Sequence, residues 1–197
     1  AVLAGERTLP FYDLGAVVTG LVLAQVLFLR ERDLSPGLVL AEVVALAFVV
    51  RFAALYTAPG FIGVDIWSHA TYARAILDER SLGAISESKY YASPFFHLLA
   101  VLASLLYDVS LRNGLYLSVG VVMPLVALFV YATARLLVSV RWALFAATLY
   151  AVADHAVRGG IHVIPTSLGL VFFLAPLYCP ARLLHTEDRS RDFALAT

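Results

Sequence analysis

The chain has 197 residues, of which 61% are hydrophobic and 14% charged, with a mean hydropathy of +0.86. Soluble domains usually contain about 45–50% apolar and about 25% charged residues, so the composition excludes an ordinary soluble domain and indicates an integral membrane protein. A single cysteine, Cys179, excludes a disulfide framework within the chain, and the balance of fourteen basic and fourteen acidic residues gives no basis for a nucleic-acid partner.

Apolar runs along the chain predict an all-α, polytopic bundle of transmembrane helices. About 20 apolar helical residues are needed to cross a hydrocarbon core about 30 Å thick. Strand-like alternation is absent, which argues against a β-barrel. We expect one membrane domain over residues 1–197, and the opening Ala1 and the apolar residues at the end indicate an excerpt of a longer protein. The predicted membrane helices are residues 12–29, 36–57, 113–138, 141–154 and 166–184, of which the fourth is short.

A sixth apolar stretch, Pro94–Tyr107, lies between the second and third of these helices. Ser93 and Pro94 favour a helix start, but at 1.5 Å per residue the helix reaches only about 20 Å. If it lies in the membrane interface, one orientation satisfies the excess of basic residues expected in cytoplasmic loops. That orientation predicts two outer loops, which we name the first polar segment (Ala58–Arg112) and the second polar segment (Asp154–Pro165). The basic residues placed on the cytoplasmic side are Arg30, Arg32, Arg135, Arg141, Arg182, Arg189 and Arg191.

Within the first polar segment, helical spacing and aromatic residues predict short interfacial helices. Trp67, Ala70, Arg74 and Leu77 recur at the period of a helix. Four aromatic residues suit the belt that membrane proteins place at the headgroup level. They are Trp67, Tyr72, Tyr90 and Tyr91.

The strongest local signal is the stretch from Gly63 to His69, directly after the second membrane helix. Asp65 and His69 are four residues apart and share a face if the segment is helical. A carboxylate backed by a histidine can accept a proton from an attacking hydroxyl or amide, or ligate a divalent cation. Asp65 can equally be the N-cap of the helix that follows, which is the commoner use of a lone aspartate. The two roles are compatible.

The second polar segment concentrates titratable side chains around Gly159 and Gly160, which permit a tight backbone. As a functional site, it would face Asp65, with Arg158 available to a phosphate and a histidine available to a metal or a proton. As an ordinary polar loop, it needs no such role. The residues concerned are Asp154, His155, Arg158 and His162.

Two charges fall inside the second membrane helix, where burial is costly enough to suggest function. Arg51 lies near the outer end, where it can snorkel to the interface or hold an anionic lipid head group. Glu42 lies nearer the cytoplasmic end and is expected to snorkel. His97, in the interfacial helix, is expected to be a packing or belt residue.

The order of these parts resembles the amino-terminal module of the GT-C superfamily of membrane glycosyltransferases. A membrane helix is followed by an outer loop with an early aspartate, a Tyr90-Tyr91 pair, a short apolar helix, two membrane helices joined by a basic turn, and a second polar loop. The resemblance covers roughly Val39 to Leu184. It points to the catalytic subunit of oligosaccharyltransferase and, further off, to the protein O-mannosyltransferases.

The resemblance implies a transferase that moves a sugar from a polyprenyl-phosphate donor to a protein, lipid or glycan acceptor on the extracytoplasmic face. It implies Asp65 as the essential acidic residue, with His69 where relatives often carry histidine. The acidic pair of the family's second loop is missing at Gly160-Ile-His162, where only His162 could ligate, while Asp154 and His155 are offset upstream. A divalent cation, Mn or Mg, held by some of Asp65, Asp154, His155 and His162 is therefore one expectation, and a metal-free reaction with a lipid monophosphate donor is the other.

The leading interpretation makes Asp65 the catalytic residue and brings the donor phosphate near Arg51 and Arg158. The remaining substrate-binding candidates are Trp67, His69, Tyr90 and Tyr91. A transporter or flippase would use the same charges to line a path, but transporters often show a repeated half and broken helices near the midplane, and neither is visible. A non-catalytic relative that binds a lipid is the third alternative.

Overall fold

The fold is described from a computed structural model, which covers residues 9–57 and 60–185. The residues it describes form helices and no strand, which confirms the all-α prediction. A π-helical turn, Tyr116–Gly120, joins α5 to α6 into one continuous helix. The helices are α1 (Leu9–Phe28), α2 (Pro36–Thr57), α3 (Asp65–Glu79), α4 (Phe95–Tyr107), α5 (Leu111–Leu115), α6 (Val121–Leu137), α7 (Val140–Val152), α8 (Asp154–His162) and α9 (Pro165–His185).

In the described part of the chain, four helices are long and apolar enough to cross a membrane, as a membrane protein requires. They coincide with four of the five predicted membrane helices. The fifth prediction, residues 141–154, corresponds to α7, which has 13 residues and is therefore about 20 Å long. The four long stretches are Pro10–Phe28, Pro36–Ala53, Leu111–Leu137 and Pro165–Leu183.

The short helix α7 packs at the centre of the bundle, against α1, α2 and α6. Small side chains make this close approach possible, because they let helix backbones come together. In contrast, only 11% of the membrane-spanning stretch of α1 is buried. The buried residues of α7 are Ala143, Leu144, Ala147, Thr148 and Ala151.

Arg141, at the start of α7, closes the carboxyl end of α1. Its guanidinium donates hydrogen bonds to the carbonyl oxygens of Val26 at 2.5 Å, Leu27 at 2.8 Å and Leu29 at 2.6 Å. The last carbonyls of a helix have no partner within the helix, so this side chain satisfies groups that would otherwise lack one. The turn between α6 and α7 therefore lies beside the turn between α1 and α2.

Glu42, which was expected to snorkel, has a partner on a neighbouring helix. Its carboxylate accepts a hydrogen bond from the side-chain amide of Gln25 at 2.8 Å. The bond joins α1 to α2. Arg182 is exposed on α9, while Arg189 and Arg191 lie outside the described residues.

The first polar segment packs against the beginning of the Leu111–Leu137 helix. A Cβ atom at Gly114 would lie 2.8 Å from the carbonyl oxygen of Ala100 and 2.9 Å from the nitrogen of Ser104. Only glycine therefore allows the backbone of α4 to cross this helix so closely. Helix α3 covers the other side of α4 through a shared apolar core of Ile66, Ala73, Ile76, Phe96, Ala100 and Val101.

The second polar segment was expected to be a loop, but residues Asp154–His162 form α8. The helix ends at Val163, whose φ of 47° turns the chain toward α9. The Ser167 hydroxyl donates to the Gly159 carbonyl and accepts from the Ile164 nitrogen at 3.3 Å. These bonds hold the turn, so the glycines lie within a helix whose position is fixed by its neighbours.

Candidate functional site

The two polar segments meet at Gly63. This residue has a φ of 102°, and a Cβ atom there would lie 3.4 Å from ring atoms of His162. The His162 ring therefore packs over the backbone two residues before Asp65. The Tyr116 hydroxyl donates to the Ile161 carbonyl at 3.2 Å, which ties the end of α8 to the π-helical turn. The end of α8 thus lies beside the start of α3, the arrangement that the functional interpretation of the second polar segment required.

Asp65 is the first residue of α3 and is exposed to solvent. The helix has Val64 as its N-cap and no side-chain capping hydrogen bond, so the capping bond predicted for Asp65 is not formed. Among the described residues, its carboxylate has neither a hydrogen-bond nor an ion-pair partner. Its charge still favours the positive end of the helix dipole. The side chain is therefore open to a substrate.

His69 does not pair with Asp65, because it turns inward toward α4. Its Nδ1 lies 3.1 Å from Nε2 of His97, close enough for one ring to donate a hydrogen bond to the other. His69 is 5% exposed and His97 is fully buried. Sequence reasoning placed Asp65 and His69 on one helix face but could not see a partner 28 residues further along the chain.

Burial keeps both imidazoles neutral at pH 7. It lowers the pKa of His69 below its usual 6.5, with Asp65 acting in the opposite direction and Lys89 adding to the decrease. Burial also lowers the pKa of His97 to about 4, and the neighbouring His69 adds to this effect. Within the described part of the chain, Nδ1 of His97 has no hydrogen-bond partner.

Tyrosine rings surround the histidine pair. The ring centroid of Tyr90 lies 4.7 Å from that of His69 and 5.4 Å from that of His97. Tyr72 lies 5.8 Å from His97. Tyr90, predicted to bind substrate, therefore packs mainly against the pair. Tyr91 is exposed.

Trp67 is 55% exposed and lies on α3 two residues after Asp65. Its ring makes an edge contact with Phe61, at a centroid distance of 5.2 Å. This contact leaves about half of the indole surface exposed. Because residues two apart on a helix do not face each other, Trp67 and Asp65 project from different faces of α3.

Arg51 lies inside the bundle and does not snorkel, since it is only 1% exposed. Its Nη1 donates to the carbonyl oxygens of Ala47 at 3.2 Å and Ala151 at 3.0 Å. The guanidinium also lies 5.5 Å from the ring centroid of Tyr150. Nε and Nη2 have no hydrogen-bond partner among the residues that the structure describes.

Gly160 of α8 lies directly over the Arg51 side chain. A Cβ atom at Gly160 would come within 2.6 Å of Cδ and 2.7 Å of Nε of Arg51. Gly159, its neighbour, has open space at the same position. Of the two adjacent glycines, Gly160 is therefore the one that the buried Arg51 side chain requires. Arg51 therefore packs against α8 from inside the bundle. It is not exposed beside Arg158, where it was expected to meet the donor phosphate.

The function is inferred from the geometry of the site, because comparisons with known proteins give no family for the chain. No protein-family model, no curated protein and no solved structure matches the chain.

Arg158 is exposed on α8 and forms an ion pair with Asp154, at 2.8 Å. Both side chains line the rim of a groove of about 1030 Å³ between α1, α2 and α8. The rest of the lining is mostly apolar and includes Phe11, Gly15 and Val50. Exposed ion pairs contribute only about 0–1 kcal/mol, so a phosphate can replace Asp154 as the partner of Arg158 at small cost.

The four candidate metal ligands occupy different surroundings. Asp154 is paired with Arg158, His155 is exposed, and His162 packs over Gly63. Over residues 9–57 and 60–185, no three His, Cys, Asp or Glu side chains come together as a metal site. Asp65 and His162 are the candidates that lie on neighbouring parts of the two segments.

Proposed function

We propose that the chain is the membrane-embedded module of a glycosyltransferase that uses a sugar linked to a polyprenyl phosphate, with Asp65 as the catalytic residue. The observation that carries the proposal is an exposed carboxylate without a partner among the described residues, at the junction of the two polar segments. Such a group is free to bind an acceptor. It comes directly after α2, one of the helices able to cross a membrane.

In this reaction, an acceptor hydroxyl or amide attacks the anomeric carbon of the donor sugar. The new glycosidic bond forms as the bond from that carbon to the phosphate oxygen breaks, and the bonding electrons leave with the lipid phosphate. Asp65 accepts the proton that the acceptor loses and holds the acceptor in line for attack. Arg158 offsets the negative charge that develops on the leaving phosphate.

Bonds at the opposite end of the bundle support an extracytoplasmic site. Arg141 binds the carbonyl end of α1, so the α1–α2 and α6–α7 turns share one side. The basic residues of those turns favour the cytoplasm. The polar segments follow the other ends of α2 and α7, which supports an extracytoplasmic position for them.

The groove between α1, α2 and α8 suits the donor. Its apolar wall can take the polyprenyl chain, and Arg158 at its rim can take the phosphate. Trp67 offers an exposed flat apolar surface on α3 for the sugar or the acceptor. The acceptor itself can be a protein, a lipid or a glycan.

The deciding experiment is Asp65→Asn in the full-length protein, assayed with a polyprenyl-phosphate sugar. Turnover should fall by about 10²–10⁴-fold, the usual contribution of general acid–base catalysis. Donor binding should stay unchanged and the melting temperature in detergent nearly so, because the carboxylate makes no hydrogen bond or ion pair that asparagine would lose and its interaction with the helix dipole is worth only about 0.3–1 kcal/mol. Adding a chelator to the wild-type assay separates the metal-free reaction from one that needs Mn or Mg.

The matched control is Asp78→Asn, which removes another exposed carboxylate from the same helix. Asp78 pairs with Arg74 at 2.9 Å and lies at the opposite end of α3 from Asp65. Its variant should transfer sugar at close to the wild-type rate. Near-normal turnover in Asp65→Asn, or equal losses in both variants, would remove the catalytic assignment.

A further inference from the structure

A groove of about 540 Å³ runs between α3 and α4, on helices that do not line the proposed donor groove. This volume lies within the range of about 300–1,000 Å³ that is typical of small-ligand sites. One end of the groove is polar, with Arg80 and Ser81, and the rest is apolar. The apolar lining comprises Ile76, Leu77, Leu82, Leu98, Val101 and Leu105.

The polar end carries a guanidinium, that of Arg80, which forms no ion pair with the described residues. Arg80 follows the last residue of α3, is exposed, and has no hydrogen-bond or ion-pair partner among the residues described. Arg74, on the same helix, is bound by Asp78. The Ser81 hydroxyl accepts from the Gly83 nitrogen at 3.0 Å and keeps its own proton to donate. This end therefore suits an anion.

The apolar end opens onto a face of α4 that no described residue covers. Leu102 is 50% exposed, Leu105 is 61% exposed and Leu106 is 78% exposed. Contiguous exposed apolar side chains mark contacts with a membrane or another protein. The opposite side of α4, at Ala100 and Ser104, crosses the beginning of the membrane-spanning helix Leu111–Leu137 at Gly114. Helix α4 therefore lies at one end of a membrane helix, where lipid is the expected neighbour of its exposed face.

We propose that this groove binds an anionic phospholipid, with one hydrocarbon chain between α3 and α4 and its phosphate on Arg80 and Ser81. The charge selects the head group, and the apolar walls hold the chain. The lipid is a resident of the α3–α4 pair and takes no part in the proposed transfer. Its binding is therefore independent of whether Asp65 is catalytic.

The test is retention of lipid by the full-length protein, purified from vesicles of phosphatidylglycerol and phosphatidylcholine in equal amounts and examined by native mass spectrometry. The wild type should keep phosphatidylglycerol in preference. Arg80→Gln should reduce that preference about tenfold, as expected for the loss of a charge-assisted hydrogen bond. Leu77→Trp, which fills the groove, should reduce retention of both lipids.

Arg74→Gln is the matched control, because it removes an arginine from the same helix that is already paired and does not line the groove. It should retain lipid as the wild type does, and the melting temperature confirms that each variant is folded. Equal retention of the two lipids by the wild type, or equal loss in Arg74→Gln and Arg80→Gln, would overturn the proposal. So would a dimer that Leu77→Trp dissociates, since the occupant would then be a second copy of the chain.

Discussion

The two polar segments differ in which side chains they bury and which they leave exposed. The first buries its histidines against each other and leaves a carboxylate outside. The second leaves its charged side chains outside, paired with each other, and buries a glycine against an arginine of α2. Buried polar groups are costly unless they are hydrogen-bonded, so each arrangement has its own weakness. The first segment should respond to protonation and the second to added volume.

The largest expected effect is loss of stability of the first segment in acid. His97 has a pKa of about 4 in the fold, against 6.5 when unperturbed. The unfolded chain then binds more protons than the folded chain between these values, so this stability is complete above pH 6.5 and is lost as the pH falls toward 4. The loss reaches about 3 kcal/mol. Melting temperatures of the detergent-solubilised protein between pH 8 and about pH 4 measure it.

The charges and titratable groups facing the pair are Asp65, Lys89, Tyr72 and Tyr90. Replacing His97 with glutamine should flatten the acid-dependent decrease, while His155→Gln, at an exposed position of α8, should leave it intact. A decrease that persists unchanged in His97→Gln would assign the acid sensitivity to other groups.

The next effect separates the two adjacent glycines of the second segment. Gly160→Ala should destabilise the protein by about 1–3 kcal/mol, the usual cost of overpacking, because its Cβ meets Arg51. Gly159→Ala meets nothing within 4 Å and should stabilise by up to about 1 kcal/mol, since alanine is the better helix former. Thermal unfolding of the two variants in the same detergent provides the comparison.

Gly160→Ala should also reduce turnover, because a shifted α8 moves His162 from Gly63 and Arg158 from the groove. Equal melting temperatures for the two alanine variants would show that Arg51 does not hold α8 in place.

The smallest effect on stability belongs to the exposed ion pair of α8. Arg158→Ala should change the free energy of unfolding by less than about 1 kcal/mol, as for other exposed pairs. If Arg158 binds the donor phosphate, the KM for the lipid-linked sugar should rise while the melting temperature stays nearly constant. Arg74→Ala, which removes the equivalent exposed pair on α3, serves as the control. An unchanged KM would place the phosphate elsewhere.

The membrane helices could be predicted because a run of apolar residues is a local property of the sequence. The junction of the polar segments was one of the two alternatives left open for the second segment. The environments of the charged and titratable residues could not be predicted from the sequence, because each depends on a partner from another helix. The partners are His97 for His69, Gln25 for Glu42, and the Ala151 carbonyl for Arg51. Helix α8 was mistaken for a loop because two glycines usually interrupt a helix, and here one of them is required by a side chain more than a hundred residues earlier.

The hydrogen bonds of Arg141 imply an order of events during synthesis, in which α1 enters the membrane before it docks in the bundle. The carbonyl of Leu29 accepts a hydrogen bond from Arg141, which is synthesised 112 residues later. Until then, α1 has little buried surface to keep it in place. Insertion of α1 into the bilayer can therefore precede its docking, which is completed only after the α6–α7 turn has been synthesised. In a series of stalled nascent chains, a cysteine at Val26, which is fully buried in the finished bundle, should therefore lose reactivity toward a thiol reagent once Arg141 has left the ribosome.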